Sequence, residues 1–253
     1  MQEAAGRLVS NTKIGKDARV MKILCDAVAR ESEPGHFVMI APTGAYDPLL
    51  KRPFGIMDAD PPYIWVYYQI VGRGTRLIGE KRRGDTLSLI GPLGNRFPER
   101  ERSTILLIAG GRGIAPLHFA AKRYAEKNKV YLVYGAATGD DLHLGERLPR
   151  LGIAKIYEYT EDGSRGSRGN VCLDLPRIVA THGIRDTFSC GPDAMLQALA
   201  GHLDGKTENF ISCEAIMGCG FGICHSCIIK TVTGEYKKVC TDGPVFRLEE
   251  IAW

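Results

Sequence analysis

A chain of 253 residues has room for two ordinary domains or one large one, and its 44% hydrophobic and 25% charged residues describe a globular protein with a core. A net charge of +4, with no basic stripe interleaved with aromatics, argues against nucleic-acid binding. The polar start MQEAAGRLVSNTKIGKD and the shortness of apolar runs such as residues 105–109 argue against a signal peptide or a membrane span, so a cytoplasmic protein is expected.

The first hundred residues read as β. Candidate strands at 18–29, 36–41, 55–58, 63–71 and 86–90 are separated by Pro, Gly and Asp turn signals, a spacing that predicts a closed antiparallel barrel. One short helix interrupts them, starting at Thr75 and ending before Gly84. Arg52-Pro53-Phe54-Gly55 stands at the mouth of this barrel, and Val71-Gly72-Arg73-Gly74-Thr75 leads into the helix. An arginine beside a helix N-terminus capped by Thr75 makes a clamp for a pyrophosphate. By itself an Arg-Pro pair is usually a surface turn; its position ahead of a nucleotide-binding pattern gives it weight.

At Ser103 the grammar changes. An apolar strand at 104–109 enters a glycine turn and then a helix to about Lys127. Strands at 129–134, 154–160 and 186–189 follow, with helices near 173–181 and 192–202. Apolar strands alternating with helices predict a parallel doubly wound sheet. Two of its strands end in candidate ligand loops: Gly110-Gly111-Arg112-Gly113, with Pro116 ready to open a helix, and Cys190-Gly191-Pro192. Glycine lets backbone amides approach a pyrophosphate closely. One such loop could be a plain tight turn; two at strand C-termini of one sheet mark the ligand edge of this architecture. Cys190 has no partnering His motif, so packing beside a nicotinamide fits it better than nucleophilic catalysis. After strand 129–134 the chain runs Gly135-Ala-Ala-Thr-Gly-Asp-Asp without an Arg, which leans to NAD, although Arg165 and Arg168 stand as candidates for a ribose 2′-phosphate.

After about Phe210 come crowded cysteines and a short hairpin, strands 226–232 and 235–239 about a turn at Gly234. Eight cysteines could make disulfides in a secreted chain, but three of them fall between 219 and 227, which argues for a metal centre in a reducing compartment. The spacing Cys219-x4-Cys224-x2-Cys227-x12-Cys240 is that of a plant-type [2Fe–2S] cluster, two thiolates to each iron. Zinc also takes four cysteines, but usually from two short hooks rather than three ligands in one loop and a distant fourth. His225 reads as a solvated neighbour of the cluster and Cys213 as a buried small side chain. Three modules are expected, at 1–100, 101–208 and 209–253.

With these motifs in order, the chain resembles the ferredoxin–NADP reductase superfamily, and within it the electron-transfer subunits of NAD-dependent dihydroorotate dehydrogenases. The residues that carry the likeness are Arg-Pro-x-x-Ile at 52–56, Val-Gly-x-Gly-Thr at 71–75, Gly-Pro-Leu-Gly-Asn at 91–95, Gly-Gly-x-Gly-x-Ala-Pro-Leu at 110–117, Cys-Gly-Pro at 190–192, and the stretches 214–227 and 239–246. The resemblance implies FAD held by Arg52, Pro53, Phe54, Gly55, Tyr68, Gln69, Gly74 and Thr75. It implies NAD(H) held by Gly110, Gly111, Gly113, Cys190, Gly191 and Pro192, and a cluster facing a catalytic partner. It further implies an oxidoreductase of pyrimidine biosynthesis, a heterotetramer with two FMN-containing dihydroorotate dehydrogenase subunits, and no covalent catalyst in this chain. Two departures from the family pattern are Gly55, where Ser or Thr is usual, and Gln69, where Arg is frequent. The alternatives are an NAD(P)H-dependent relative feeding ferredoxin, sulfur reduction or a hydrogenase, and a cluster carrier without flavin.

Overall fold

In chain order the strands are β1 (Gln2–Lys13), β2 (Ala18–Leu24), β3 (Phe37–Ile40), β4 (Arg52–Asp60), β5 (Tyr63–Gln69) and β6 (Thr86–Leu93), then β7 (Thr104–Gly110), β8 (Lys129–Ala136), β9 (Lys155–Thr160), β10 (Ser167–Arg168), β11 (Asp186–Cys190), β12 (Glu208–Ser212), β13 (Ile228–Lys230), β14 (Tyr236–Lys238) and β15 (Val245–Arg247). The helices are α1 (Asp26–Glu31), α2 (Arg73–Glu80), α3 (Ile114–Tyr124), α4 (Leu175–His182) and α5 (Asp193–Leu199). These come from a computed structural model, which describes residues 2–44, 47–203, 205 and 207–253.

The first six strands close into an antiparallel barrel in the order β1-β2-β5-β4-β3-β6. In β6 and β5 alternate side chains turn inward, as a closed sheet with one wet face requires. Met21, Ile23, Val38, Ile40, Ile56, Ile64, Val66 and Leu89 fill the interior, all of them buried. Two barrel elements differ from the sequence reading. β1 gives almost no apolar signal, because Glu3, Arg7, Thr12 and Lys13 face solvent and the buried positions fall on Gly6 and Leu8. Residues 26–29, expected to continue a strand, instead belong to α1, which buries adjacent Val28 and Ala29. An i,i+4 ion pair between Asp26 and Arg30, at 2.7 Å, supports that turn.

The second sheet runs β10-β9-β8-β7-β11-β12-β15, parallel except for β15, which lies antiparallel on β12. All of β7 except Thr104 is buried, and so is all of β11. Strand order reverses between β7 and β11, so the crevice beyond their C-termini is the switch point where such sheets bind ligands. Strands β12 and β15 were not foreseen: each is short and hidden beside the cysteine-rich stretch. They make residues from beyond 208 part of this sheet. The predicted hairpin is present as β13 and β14, pairing Ile228 with Lys238. Among the described residues no helix is long and apolar enough to cross a membrane.

Helix α3 joins the two bodies. It packs on β4, where His118 Nδ1 donates to the Met57 carbonyl at 3.1 Å and Lys122 Nζ meets Asp58 at 2.8 Å. Burial lowers the pKa of His118, so the ring is neutral and its one N–H serves this bond. Gly55 faces Pro116 of the same helix at a distance where a β-carbon would make ordinary contact.

Candidate cofactor sites

A cleft of about 410 Å³ opens between the barrel and the start of α2. Arg52, Pro53, Phe54, Gly55, Tyr68, Gln69, Gly74 and Thr75 all line it, so the sequence-predicted set comes together. Its polar end is an anion cradle. The N-cap of α2 is Gly72, which offers no side chain to the first-turn amides of Arg73, Gly74 and Thr75. Arg52 lies across this helix start, close enough that a β-carbon on residue 74 would stand 2.6 Å from its Nε. Thr75 does not cap the helix as expected. It sits inside the first turn, where its hydroxyl oxygen accepts from the N–H groups of Val71 and Gly72 at 3.0 and 3.2 Å and tightens the loop. A guanidinium, free amides and a bare glycine fit a diphosphate. The other end is apolar and aromatic: Phe54 meets Tyr68 edge-on at 5.6 Å, and Tyr68 donates to Asn11 Oδ1 at 2.9 Å. That wall fits the planar ring of a flavin.

A second cavity, about 420 Å³, lies at the C-terminal ends of β7, β8 and β11. Gly110, Gly111, Gly113, Gly191 and Pro192 line it. Cys190 borders the first cavity instead, 1% exposed, and burial pushes its thiol well above the ordinary range, so it is a protonated packing group. Gly113 has a tighter constraint than ligand approach: a β-carbon there would overlap the Cys190 carbonyl, so glycine is what lets the two loops touch.

Tyr67, Gln69, Arg112 and Glu214 line both cavities. Three of these, Tyr67, Arg112 and Glu214, were not singled out as ligand residues from sequence; Arg112 carried a signal in its place inside the glycine loop, and Glu214 in opening the 214–227 stretch. Arg112 and Glu214 stand 4.0 Å apart across the junction. Burial raises Tyr67 to about 12 and lowers His143, so a protonated phenol and a neutral ring share a hydrogen bond of 2.8 Å between the Tyr67 hydroxyl and His143 Nδ1. Two carboxylates, Asp141 and Glu161, also line the second cavity. Arg165, a candidate phosphate ligand, makes a bidentate pair with Glu158 at 2.8 Å on each arm and does not line this cavity.

The four predicted ligand cysteines gather at the end of the barrel, in two pairs. Cys219 and Cys224 share hydrogen bonds across one loop: Cys219 N–H points at Cys224 Sγ at 3.4 Å, and Cys224 N–H at Cys219 Sγ at 3.5 Å. Cys227 and Cys240 form the second pair, both buried, with Cys219 near enough to influence Cys240. Ser226 holds Cys224 Sγ at 3.2 Å, and this hydroxyl with the loop amides lowers the Cys224 thiol to about 6. Among the described residues no three His, Cys, Asp or Glu side chains are grouped closely enough to hold a metal ion; four thiols in two pairs are the donor set that the two irons of a [2Fe–2S] cluster take. His225 is exposed, and Cys213 is buried in the wall of the first cavity.

Comparison with known proteins agrees with this geometry. Residues 214–252 match the family described as the iron-sulfur cluster binding domain of dihydroorotate dehydrogenase B, and residues 107–200 match the oxidoreductase NAD-binding domain. The chain is 36% identical, over all of both chains, to a Bacillus velezensis protein named dihydroorotate dehydrogenase B (NAD(+)), electron transfer subunit. It is 34% identical over 99% of both chains to an Aquifex aeolicus homolog of that subunit. A solved NADH-dependent reduced ferredoxin-NADP oxidoreductase superposes with a TM-score of 0.87 at 27% identity, covering 99% of this chain and 90% of that one. A flavohemoglobin from Malassezia yamatoensis shares the fold, with a TM-score of 0.68 at 18% identity over 83% of this chain and 60% of its own. With that identity sustained end to end, the chain belongs to the family of dihydroorotate dehydrogenase B (NAD(+)) electron-transfer subunits.

Proposed function

We propose that this chain is an oxidoreductase subunit of pyrimidine biosynthesis, carrying electrons between NAD(H) and an FMN-containing dihydroorotate dehydrogenase subunit in an assembly of two copies of each. The observation that carries the reading is the junction where Tyr67, Gln69, Arg112 and Glu214 line both cavities, with Glu214 opening the segment that runs to the cluster cysteines. When bound, FAD joins the two-electron chemistry of the nicotinamide to the one-electron chemistry of the [2Fe–2S] cluster.

The chain's own residues bind and orient. Arg52 and the amides of Arg73, Gly74 and Thr75 hold the flavin diphosphate, while Pro53, Phe54 and Tyr68 keep water from its ring. Gly55 offers only backbone where relatives carry a hydroxyl, and Gln69 offers a neutral amide where many carry a cation. Gly110, Gly111, Gly113, Gly191 and Pro192 hold the nicotinamide dinucleotide, with Cys190 packed behind the flavin side of the junction. Cys219, Cys224, Cys227 and Cys240 would hold the cluster through their thiolates. None of these groups need act as a covalent catalyst. Asp141 and Glu161 disfavour a 2′-phosphate and Glu158 holds Arg165 back, which supports NAD over NADP. Ile216, just before the cluster loop, and Ile223, within it, are 88% and 75% exposed, an apolar rim that suits a docked subunit.

The test is an activity split. The isolated chain should reduce an artificial dye with NADH, and poorly with NADPH. It should link dihydroorotate to NAD only after the FMN-containing subunit is added, with residues 219–227 and 243–246 then protected from hydrogen exchange. Unaided dihydroorotate oxidation contradicts the reading. The likeness to the ferredoxin-NADP oxidoreductase favours a second reading, delivery to ferredoxin. Efficient ferredoxin reduction, with no dihydroorotate activity in the presence of the partner, would select it.

A further inference from the structure

The turn that ends barrel strand β6 holds a distant part of the chain. Asn95 donates from its backbone N–H to the Gly243 carbonyl at 2.6 Å, and from Nδ2 to the carbonyls of Asp242 and Val245 at 3.1 and 2.8 Å. The Val245 N–H returns a bond to Asn95 Oδ1 at 2.8 Å. Both donors and the acceptor of this amide are thus spent on one backbone stretch, 147 to 150 residues away. A residue that merely capped its own turn would bond locally. Beside it Gly94 adopts φ +80°, and a β-carbon there would overlap Pro244, so the turn lies flat on the stretch it grips.

What the stretch carries gives the grip its meaning. Cys240 lies two residues before Asp242, and Pro244 is a wall of the flavin cleft together with Phe37. The cluster loop rests on the same barrel strands: a β-carbon on Gly220 would stand 2.6 Å from Met39 Cγ and 3.4 Å from Leu93. One amide therefore fixes the segment that holds a cluster ligand at one end and borders the flavin cleft at the other.

We infer that Asn95 is a positioning residue for electron transfer, setting the gap between flavin and cluster. The inference rests on the flavin-and-cluster reading above. Electron transfer through protein weakens steeply as the gap widens, whereas hydride delivery at the other cavity does not depend on this segment. The two steps should separate.

The experiment uses the complete, cofactor-loaded chain with Asn95→Leu, which keeps the volume and loses the bonds, and Asn95→Asp, which keeps the acceptor for Val245. Mixed with NADH anaerobically, N95L should bleach its flavin within about twofold of the wild-type rate, reduce its cluster at least about tenfold more slowly, and exchange the Val245 and Cys213 amides roughly a hundredfold faster. N95D should fall between. Cluster reduction at the wild-type rate despite faster exchange overturns the inference, as does equal slowing of both steps with loss of FAD, which would mark a purely structural role. A wild-type chain that lacks flavin or cluster would remove the functional reading itself, and is distinguishable because it appears before any substitution.

Discussion

Replacing Cys224 with serine abolishes the [2Fe–2S] centre while FAD stays bound. The substitution is nearly isosteric and falls on an exposed loop, so the fold has little to lose. The chemistry has much to lose. Cys224 and Cys219 are one of the two thiol pairs, and an iron left with a single soft thiolate and a serine hydroxyl has lost half of its protein ligands. No ligand cysteine lines the flavin cleft, so the flavin should be retained. The checks are iron and labile-sulfide analysis, the visible spectrum, and electron paramagnetic resonance after dithionite. The expected result is loss of the cluster signals beside a normal flavin content. One zinc per chain and no labile sulfide in the unsubstituted protein would defeat the assignment.

Replacing Arg52 with alanine strips the chain of FAD. Arg52 opens β4 opposite Ile40, and its backbone pairing survives truncation. What goes is the guanidinium that lies against Gly74 at the α2 start, where the N-cap glycine leaves the amides without a side-chain partner. Hydrogen bonds to a charged group are worth about 1.5–3 kcal/mol each, so FAD binding should weaken by roughly ten- to a hundredfold. The thermal stabilisation that bound flavin confers should shrink with it, while the apo-protein's melting point barely moves. Arg52→Lys should recover only part of the affinity, because an ammonium cannot match the fork. Flavin retention after gel filtration and a fluorescence titration measure this. A variant that holds FAD with wild-type affinity would displace the clamp from Arg52.

What could be read from the sequence follows from how local each signal is. The continuous apolar run of β7, ending in Gly110, and the glycine turn that follows β11 announce a parallel sheet and its ligand edge within a few residues. Three cluster ligands within nine residues announce themselves similarly. Strand β1 was illegible because a barrel strand with a wet outer face needs few apolar residues, and here glycine takes one of its inward positions. Strand β12 pairs with β11 and β15 pairs with β12 across long separations, which no window of sequence contains. The junction fails to show for the same reason. Tyr67 comes from β5, Arg112 from the turn after β7 and Glu214 from beyond β12, and only the seating of the barrel on α3 brings them together. Gly113 was legible as special but for an incomplete reason, since its first neighbour is the Cys190 carbonyl. A bulky residue there would move two loops at once.

The most direct test of the account is an anaerobic titration of the isolated, as-purified chain with NADH, followed by absorbance and electron paramagnetic resonance in the same sample. The account predicts that NADH bleaches the bound flavin and that the reduced [2Fe–2S] signal grows in as it does so. A chain that carries no flavin, or one whose cluster stays oxidised once its flavin is fully reduced by NADH, would contradict it.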